Sequence, residues 1–136
     1  MNKLTFDPNY DGNLSIYELP YAVNFTNNGN IWLNNLKTIP EGIEFNNKGD
    51  VSLWNLIELP EGIEFNNIGD VYLRNLTKLP KDFKFNNESY VWLPNLNYEG
   101  LSYEQFMYIY PKLLPEIQIE LKWLLRQFKL KKILDI

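Results

Sequence analysis

The feature that most constrains this chain is a repeat of twenty residues. An aliphatic residue followed by proline recurs at that spacing, as Leu19-Pro20, Ile39-Pro40, Leu59-Pro60 and Leu79-Pro80. Residues 41–58 read EGIEFNNKGDVSLWNLIE and residues 61–78 read EGIEFNNIGDVYLRNLTK, and the flanking units keep the pattern more loosely. Self-similarity at this period is typical of a solenoid, in which each coil buries its apolar face only against its neighbours.

Within one repeat, the pattern predicts two short strands. Apolar and polar residues alternate over residues 63–66 and again over 71–74, which is the period of a strand. The intervening NNIGD is turn chemistry, because Asn and Gly tolerate positive φ. The inward apolar positions of this coil are predicted to be Ile63, Phe65, Val71, Leu73, Leu76 and Leu79.

Equivalent residues of stacked coils should lie about 4.8 Å apart, the spacing of neighbouring strands. Two columns follow from that spacing. An internal aromatic spine is predicted at Phe25, Phe45, Phe65 and Phe85. A ladder that satisfies buried backbone groups is predicted at Asn35, Asn55, Asn75 and Asn95.

The predicted fold class is therefore mainly β: a single-domain repeat solenoid of twenty-residue coils with two short strands each, stacked in parallel, and a C-terminal α-helical cap. Residues 1–100 are assigned to the solenoid, with 1–20 as an atypical N-terminal capping coil, and 101–136 to the helical cap. At 136 residues the chain is long enough to bury a core without staples.

The string LPEGIEFNNIGDVYLRNL and its copies, which cover about residues 12–98, resemble the leucine-rich repeat and its short bacterial and phage-encoded relatives. Asn75 directly precedes Leu76, whereas the usual repeat has a residue between them, and this spacing favours a flat coil over the standard horseshoe. The resemblance implies a binding scaffold, usually for protein partners.

The stretch DPNYDGNLSIYE, residues 7–18, matches a calcium-binding EF-hand loop, with Asp7, Asn9, Asp11 and Glu18 as its side-chain ligands. The repeat offers a competing interpretation, because Leu19-Pro20 is in register with every later Leu-Pro. An EF-hand also needs a helix before its loop, and only MNKLTF precedes Asp7. We therefore predict a capping coil here and no metal, with calcium binding as the alternative.

The period changes after Leu101. Ser102 and Gln105 form a capping-box pattern for a helix that should end near Tyr110, and Pro115 suits the first turn of a second helix. The second helix carries Ile117, Leu121, Leu124 and Phe128 on one face. These helices are predicted to cover the open end of the solenoid, although folding back over a strand face is the alternative, and the basic tail or Trp123 is a further candidate for partner contact.

Composition argues against an enzyme. The chain has no histidine and no cysteine, which removes the commonest general base, the commonest zinc ligand and thiol nucleophiles. No phosphate-binding glycine loop is present, so no cofactor is predicted. There is no secretory-type leader or apolar run of membrane-span length, which favours a cytoplasmic protein without membrane contact.

The outward side of the second strand carries the candidate site. Aromatic residues and one arginine recur there, at Trp32, Trp54, Tyr72, Arg74 and Trp92. Trp, Tyr and Arg dominate the energetics of protein interfaces. The predicted function is a non-enzymatic module that binds a protein partner through this face.

The alternative function is a small, acidic, possibly phage-encoded inhibitor that blocks a nucleic-acid-processing defence enzyme, such as a CRISPR effector, by occlusion or by mimicry of nucleic acid. Residues 1–100 carry a net charge of −6 and residues 101–136 one of +2, which argues against direct binding of nucleic acid. A monomer is expected, or a homodimer that pairs through an exposed end of the solenoid.

Overall fold

The computed structural model describes residues 4–5, 14–15, 19 and 21–134 of the chain. The candidate calcium ligands Asp7, Asn9, Asp11 and Glu18 lie outside the described residues. The described strands are β1 (Leu4–Thr5), β2 (Leu14–Ser15), β3 (Val23–Phe25), β4 (Ile31–Trp32), β5 (Glu44–Phe45), β6 (Val51–Ser52), β7 (Glu64–Phe65), β8 (Val71–Tyr72) and β9 (Val91–Trp92).

These strands form two parallel sheets that run along the stack of coils. One sheet has the order β1-β3-β5-β7 and the other the order β2-β4-β6-β8-β9. Every pairing recorded between coils 21–40, 41–60 and 61–80 joins residues exactly one repeat apart, as in Phe45 with Phe65 and Val51 with Val71. The repeat in the sequence is therefore a repeat in space, with two short strands in each of these coils.

The last coil, residues 81–98, differs from the prediction of two strands per coil. Its second strand is β9, but the described residues 83–86 form no strand next to β7. Phe83 stands where the two preceding coils have isoleucine, and its ring packs edge-on against Phe65 and Phe85, with centroids 6.3 and 4.9 Å apart. The loss of this strand pairing thus coincides with a larger inward side chain at Phe83.

The predicted phenylalanine spine is confirmed. Phe25 and Phe45 stack with ring centroids 5.3 Å apart, Phe45 and Phe65 at 5.2 Å, and Phe65 and Phe85 at 5.6 Å. All four rings are buried among the other inward side chains. The predicted inward residues of coil 61–80 are buried as well, except Leu79, which is half-buried.

The predicted asparagine ladder joins successive coils, but it lies on the surface. Asn35, Asn55, Asn75 and Asn95 are exposed, and the Asn95 side-chain amide donates to the Arg74 carbonyl over 2.6 Å. The buried ladder is instead Asn27, Asn47, Asn67 and Asn87. These residues continue the inward alternation that starts at the strand, because they follow the spine phenylalanines by two residues.

The buried ladder ties each turn to the previous coil. The Asn67 amide donates to the Gly49 carbonyl at 3.1 Å, to the Gly69 carbonyl at 3.2 Å and to the Asp70 carbonyl at 3.3 Å. Gly69 packs so closely on the coil below that an added Cβ would lie 2.7 Å from the Gly49 backbone. At Gly69 the turn therefore combines a buried side-chain amide with a residue that has no room for a side chain.

Three helices follow the coils: α1 (Tyr103–Ile109), α2 (Pro115–Glu120) and α3 (Lys122–Leu134). Ser102 and Gln105 form the predicted capping box at the start of α1. Pro115 opens α2 as predicted, but the second helix is interrupted at Leu121, which leaves helical geometry before α3 begins. Within the described residues, no helix is long and apolar enough to cross a bilayer.

The helical segment covers the end of the solenoid. The Tyr108 hydroxyl accepts from the Phe85 amide at 2.9 Å and donates to the Phe85 carbonyl at 3.0 Å, so one side chain takes the place of a further strand. The Lys112 ammonium donates to the Asn87 carbonyl at 3.0 Å, and Leu113 forms a single parallel bridge with Val91. Partial burial lowers the pKa of Lys112.

The architecture is thus a repeat-like stack of two parallel sheets with C-terminal helices, and the core runs continuously from the coils into the cap. Phe106, Ile109, Leu113 and Leu124 of the cap share the buried cluster that contains the phenylalanine spine. Among the described residues, helices α1–α3 hold more residues than the strands, so "mainly β" describes the coils and not the content of the chain.

Candidate functional site

Parallel pairing in exact repeat register brings the predicted site residues onto one surface. In the second sheet, Trp32 pairs with Ser52, Ser52 with Tyr72 and Tyr72 with Trp92. Each of Ser52, Tyr72 and Trp92 directly follows a buried valine on its strand. Because side chains alternate along a strand, the row that contains the aromatic side chains faces away from the core. The buried valines are Val51, Val71 and Val91. We call the surface formed by Trp32, Trp54, Tyr72, Arg74 and Trp92 the aromatic wall.

Ring contacts connect four members of the aromatic wall. The Trp54 and Trp92 rings have centroids 6.2 Å apart, and the Tyr72 and Trp92 rings have centroids 6.1 Å apart. The Arg74 guanidinium lies 5.5 Å from the centre of the Trp54 ring, within the range of a cation–π contact. Trp32 continues the row on the N-terminal side, next to Ser52.

The aromatic wall is open to solvent. Trp54 is 40% exposed and Trp32 is 38% exposed, while Tyr72 and Trp92 are half-buried and Arg74 is exposed. The C-terminal cap contacts the end of the stack, through Tyr108 of α1 at Phe85 and through the segment between α1 and α2 at Asn87 and Val91. The helices therefore do not fold back over the wall, and the alternative in which they bury the tryptophans is wrong.

Asn34 holds the centre of the wall in place. Its side-chain oxygen accepts from the Ser52 hydroxyl at 2.7 Å and from the Trp54 backbone amide at 3.1 Å. Ser52 is itself buried although it belongs to the outward row. The backbone under Trp54 is thereby fixed by a side chain from the previous coil.

Asp70 holds Tyr72. The Tyr72 hydroxyl donates to one Asp70 carboxylate oxygen at 2.9 Å, and the other oxygen accepts from the Tyr90 backbone amide at 2.9 Å. Burial, the hydrogen bond to Asp70 and the negative charges of Asp70 and Asp50 raise the pKa of Tyr72 to about 12. The phenol is therefore neutral at physiological pH and serves as a fixed hydrogen-bond donor.

Sequence reasoning missed Asp70, as well as Tyr90. Asp70 is one of a column of side-chain acceptors, since Asp50 in turn accepts from the Asp70 amide at 2.7 Å and Asn30 from the Asp50 amide at 2.7 Å. Tyr90, which is exposed, stands at the next position of that column and two residues before Trp92. Asp70 belongs to the NNIGD segment predicted as a turn, and Tyr90 occupies the equivalent position one repeat later; each precedes a wall residue by two positions.

The outward side of the first sheet has a different character. Glu44 and Glu64 pair directly in neighbouring strands, and Asn24 pairs with Glu44 on the other side. Lys84 belongs to the same row, and its ammonium lies 3.9 Å from the centre of the Tyr108 ring in the cap. This surface is polar and acidic, in contrast with the aromatic wall.

No group of three or more residues of the metal-ligating types histidine, cysteine, aspartate and glutamate comes together in the described part of the chain. The calcium alternative rests on residues that lie outside that part. Comparison with protein-family models finds no match, and comparisons with curated proteins and with solved structures find none either. The residues of this chain alone therefore support the functional proposal.

Proposed function

We propose that this protein is a non-enzymatic binding module that docks on a protein partner through the aromatic wall. The observation that supports it is the cluster of Trp54, Arg74, Tyr72 and Trp92, which is in mutual contact and solvent-accessible on the stack. The coil does not need these side chains for its own packing, because its apolar interior is filled from the other side of each strand.

The geometry suits recognition of another protein. Interfaces are dominated by a few Trp, Tyr and Arg side chains that bury much area with few rotatable bonds. Asn34 and Asp70 fix the wall before binding, and such pre-organisation reduces the entropy lost in a complex. The part of the wall that is in ring contact, from Trp54 to Trp92, spans three coils, so its contacts can act as one unit.

The experiment is a capture from a lysate of the cells that produce the protein, followed by a titration of the purified partner. Truncating Trp54 or Tyr72 to alanine should weaken the complex by roughly thirtyfold or more, as expected for an interface hot spot. The matched control is Ile68→Ala, which removes an exposed apolar side chain away from the wall. Circular dichroism checks that each variant keeps its fold.

Two results would contradict this proposal. One is a partner that Trp54→Ala and Tyr72→Ala bind as tightly as the unchanged protein does. The other is unfolding of Trp54→Ala, since this would make the tryptophan part of the core. A complex lost only in Ile68→Ala would move the binding site to the turns.

The second candidate is the inhibitor of a nucleic-acid-processing enzyme. It is supported by the pairing of Glu44 with Glu64, because in-register carboxylates on neighbouring strands place two negative charges side by side. Binding of this kind to a basic groove should weaken steeply with salt, and Glu44→Gln with Glu64→Gln should abolish it. Salt-insensitive binding that needs Trp54 instead favours the first proposal.

The resemblance to short leucine-rich repeats, with its bacterial or phage source, belongs to the same proposal. Stacked coils with parallel strands in one-repeat register support it at the level of a repeat fold. Such scaffolds present a binding surface on their strands.

The cap covers the C-terminal edges of the stack, so a homodimer would pair through the N-terminal end.

A further inference from the structure

Helix α3 concentrates positive charge on an otherwise acidic protein. Lys122–Leu134 reads KWLLRQFKLKKIL and contains five basic residues and no acidic one, whereas the whole chain has a net charge of −4. All five cations are exposed. The basic character begins sharply at this helix, because α2 before it carries Glu116 and Glu120.

The same helix exposes large apolar side chains. Trp123 is 52% exposed, Leu130 is 53% exposed and Leu134 is 74% exposed, and Ile133 is also exposed. Trp123, Leu130 and Leu134 are separated by seven and four residues, so they lie along one line of the helix surface. Helical spacing places Lys122, Arg126 and Lys129 on one side of that line and Lys131 on the other.

The opposite face of α3 is already used by the fold. Leu124 is buried, and the Phe128 ring stacks on Phe106 of α1 with centroids 4.4 Å apart. Lys132 lies on this side as well, 4.0 Å from the Glu104 carboxylate and 5.2 Å from the centre of the Tyr103 ring. The outward line lies beside this packing face, and Leu130 and Leu134 also border an open groove that Glu99 and Leu101 line from the other side.

Charge complementarity decides what fits this face. A second copy of α3 would bring two strongly positive helices together, which is unfavourable. A nucleic-acid backbone would match the cations but leave the apolar line without gain. An anionic bilayer matches both, since apolar side chains enter the acyl boundary while flanking Lys and Arg reach the lipid phosphates.

We propose that α3 lies flat on the surface of an anionic lipid bilayer, with Trp123, Leu130 and Leu134 inserted and Lys122, Arg126 and Lys129 at the headgroups. The expectation of no membrane contact came from the lack of a spanning segment, and a helix in the plane of the interface needs none. The cap is at one end of the stack, so the acidic coils can extend away from the bilayer. The inference does not depend on the aromatic wall.

The experiment is co-sedimentation of the full chain with phosphatidylcholine vesicles, with and without phosphatidylglycerol, at low and at physiological salt. Binding should require phosphatidylglycerol. Arg126→Gln with Lys129→Gln should weaken it by about tenfold or more, because each basic residue near the surface contributes about fivefold. The matched control, Lys37→Gln with Lys48→Gln, removes the same charge from exposed positions of the coils, away from the bilayer, and should bind nearly as well as the unchanged protein.

The apolar line is tested separately. Leu130→Ser should lose several-fold in vesicle affinity, whereas Ile57→Ser, which changes an equally exposed side chain on the coils, should lose none. Lipids brominated in their acyl chains should quench tryptophan emission, and Trp123→Phe should remove that quenching. Thermal unfolding checks that these surface variants fold normally.

The proposal is overturned if the chain does not bind phosphatidylglycerol vesicles, or if it binds them equally well after the Arg126 and Lys129 changes. Polyglutamate is the second probe. Binding to polyglutamate without binding to vesicles would assign the face to an acidic protein partner instead. Loss of affinity in the charge variants with no effect of Leu130→Ser and no quenching would mean a purely electrostatic contact and would overturn insertion.

Discussion

The interior of the solenoid and the aromatic wall are built on the same strands but differ in how they use the repeat. Inside, each coil places phenylalanine on phenylalanine and asparagine on asparagine, as at Phe45 with Phe65 and at Asn47 and Asn67. On the wall, the row reads Trp32, Ser52, Tyr72, Trp92. Identity is kept in the stacked phenylalanines and the buried asparagines, whereas the wall row changes from coil to coil.

This difference has a physical origin. A side chain in the interior has the equivalent residues of the adjacent coils as its neighbours, so a change in one coil must fit two others. A side chain on the wall meets solvent on one side, and a change there costs little. Large aromatic residues in so permissive a place are consequently better explained by what they contact outside the coil. Five substitutions can break or sharpen this contrast.

The largest expected effect is in the spine. Phe65→Ala should lower the free energy of unfolding by about 4 kcal/mol, because it removes a buried ring and leaves a cavity between Phe45 and Phe85. Urea denaturation followed by circular dichroism measures it. A loss below about 1 kcal/mol would show that the stack tolerates a gap and would break the contrast.

Gly69→Ala should cost about 2 to 3 kcal/mol, although it adds only one methyl group. The new Cβ would lie 2.7 Å from the Gly49 backbone and 2.2 Å from the Asp50 carboxylate, so one coil has to move away from the next. The same denaturation experiment tests it. Unchanged stability would mean that the coils can separate freely at this turn.

Asn67→Ala should cost about 1 to 2 kcal/mol. The cost is modest because two of the carbonyls that lose the Asn67 side-chain amide keep another donor. The Gly69 carbonyl also accepts from the Asn87 side chain at 3.1 Å, and the Gly49 carbonyl accepts from the Gly69 backbone amide at 3.1 Å. Asn75→Ala, in the exposed column, is the matched control and should cost less than about 0.5 kcal/mol. Equal losses of unfolding free energy in the two variants would mean that the exposed column stabilises the coils as much as the buried one does.

Trp54→Ala should change stability by less than about 1 kcal/mol, despite removing the largest type of side chain. Its ring is 40% exposed and contacts Trp92 and Arg74 on the surface. Thermal unfolding beside Phe65→Ala gives the direct comparison of wall with interior. A loss as large as that of Phe65→Ala would mean that the wall is part of the core.

The smallest effect is a pH dependence at Tyr72. Its pKa is raised from 10.0 to about 12 in the folded protein, so between these values the folded state holds a proton that the unfolded chain releases. This contribution to stability is fully present below pH 10 and is lost as the pH rises towards 12. Tyr72→Phe should remove that part of the alkaline loss.

Denaturation at several pH values between 9 and 12, on the unchanged protein and on Tyr72→Phe, makes the measurement. The difference between the two pH profiles separates the contribution of Tyr72 from that of Lys112. The lowered pKa of Lys112 changes stability with pH in the opposite direction. Parallel curves for the two proteins would show that Asp70 does not hold the phenol.

Several parts of the fold could be predicted because local pattern determines them. The strand alternation at Phe65 and Val71, the spine and the capping box at Ser102 all depend on residues that are close in sequence or exactly one repeat apart. The assignment of Trp54 and Tyr72 to the solvent side follows from the same alternation. Their role in binding stays a prediction.

Other parts could not be predicted. The exposed column with Asn75 and the buried column with Asn67 recur with the same period, so periodicity cannot distinguish them; the path of the turn decides which amide faces inward. The cap posed a similar problem. Tyr108 bonds both backbone groups of Phe85, which lies 23 residues earlier, and no local signal encodes such a pairing.

The sequence by itself determined that this chain folds into equal coils, with like residues over like and one outward row of aromatic side chains, because a strict period leaves each coil only its copies to pack against. The tertiary structure alone decided how those side chains meet. Trp54 and Trp92 belong to coils that are separated by a whole coil, and they occupy different positions of the repeat, yet their ring centroids are 6.2 Å apart. That contact depends on how the long side chains are oriented across the intervening coil, and no spacing in the sequence specifies this orientation.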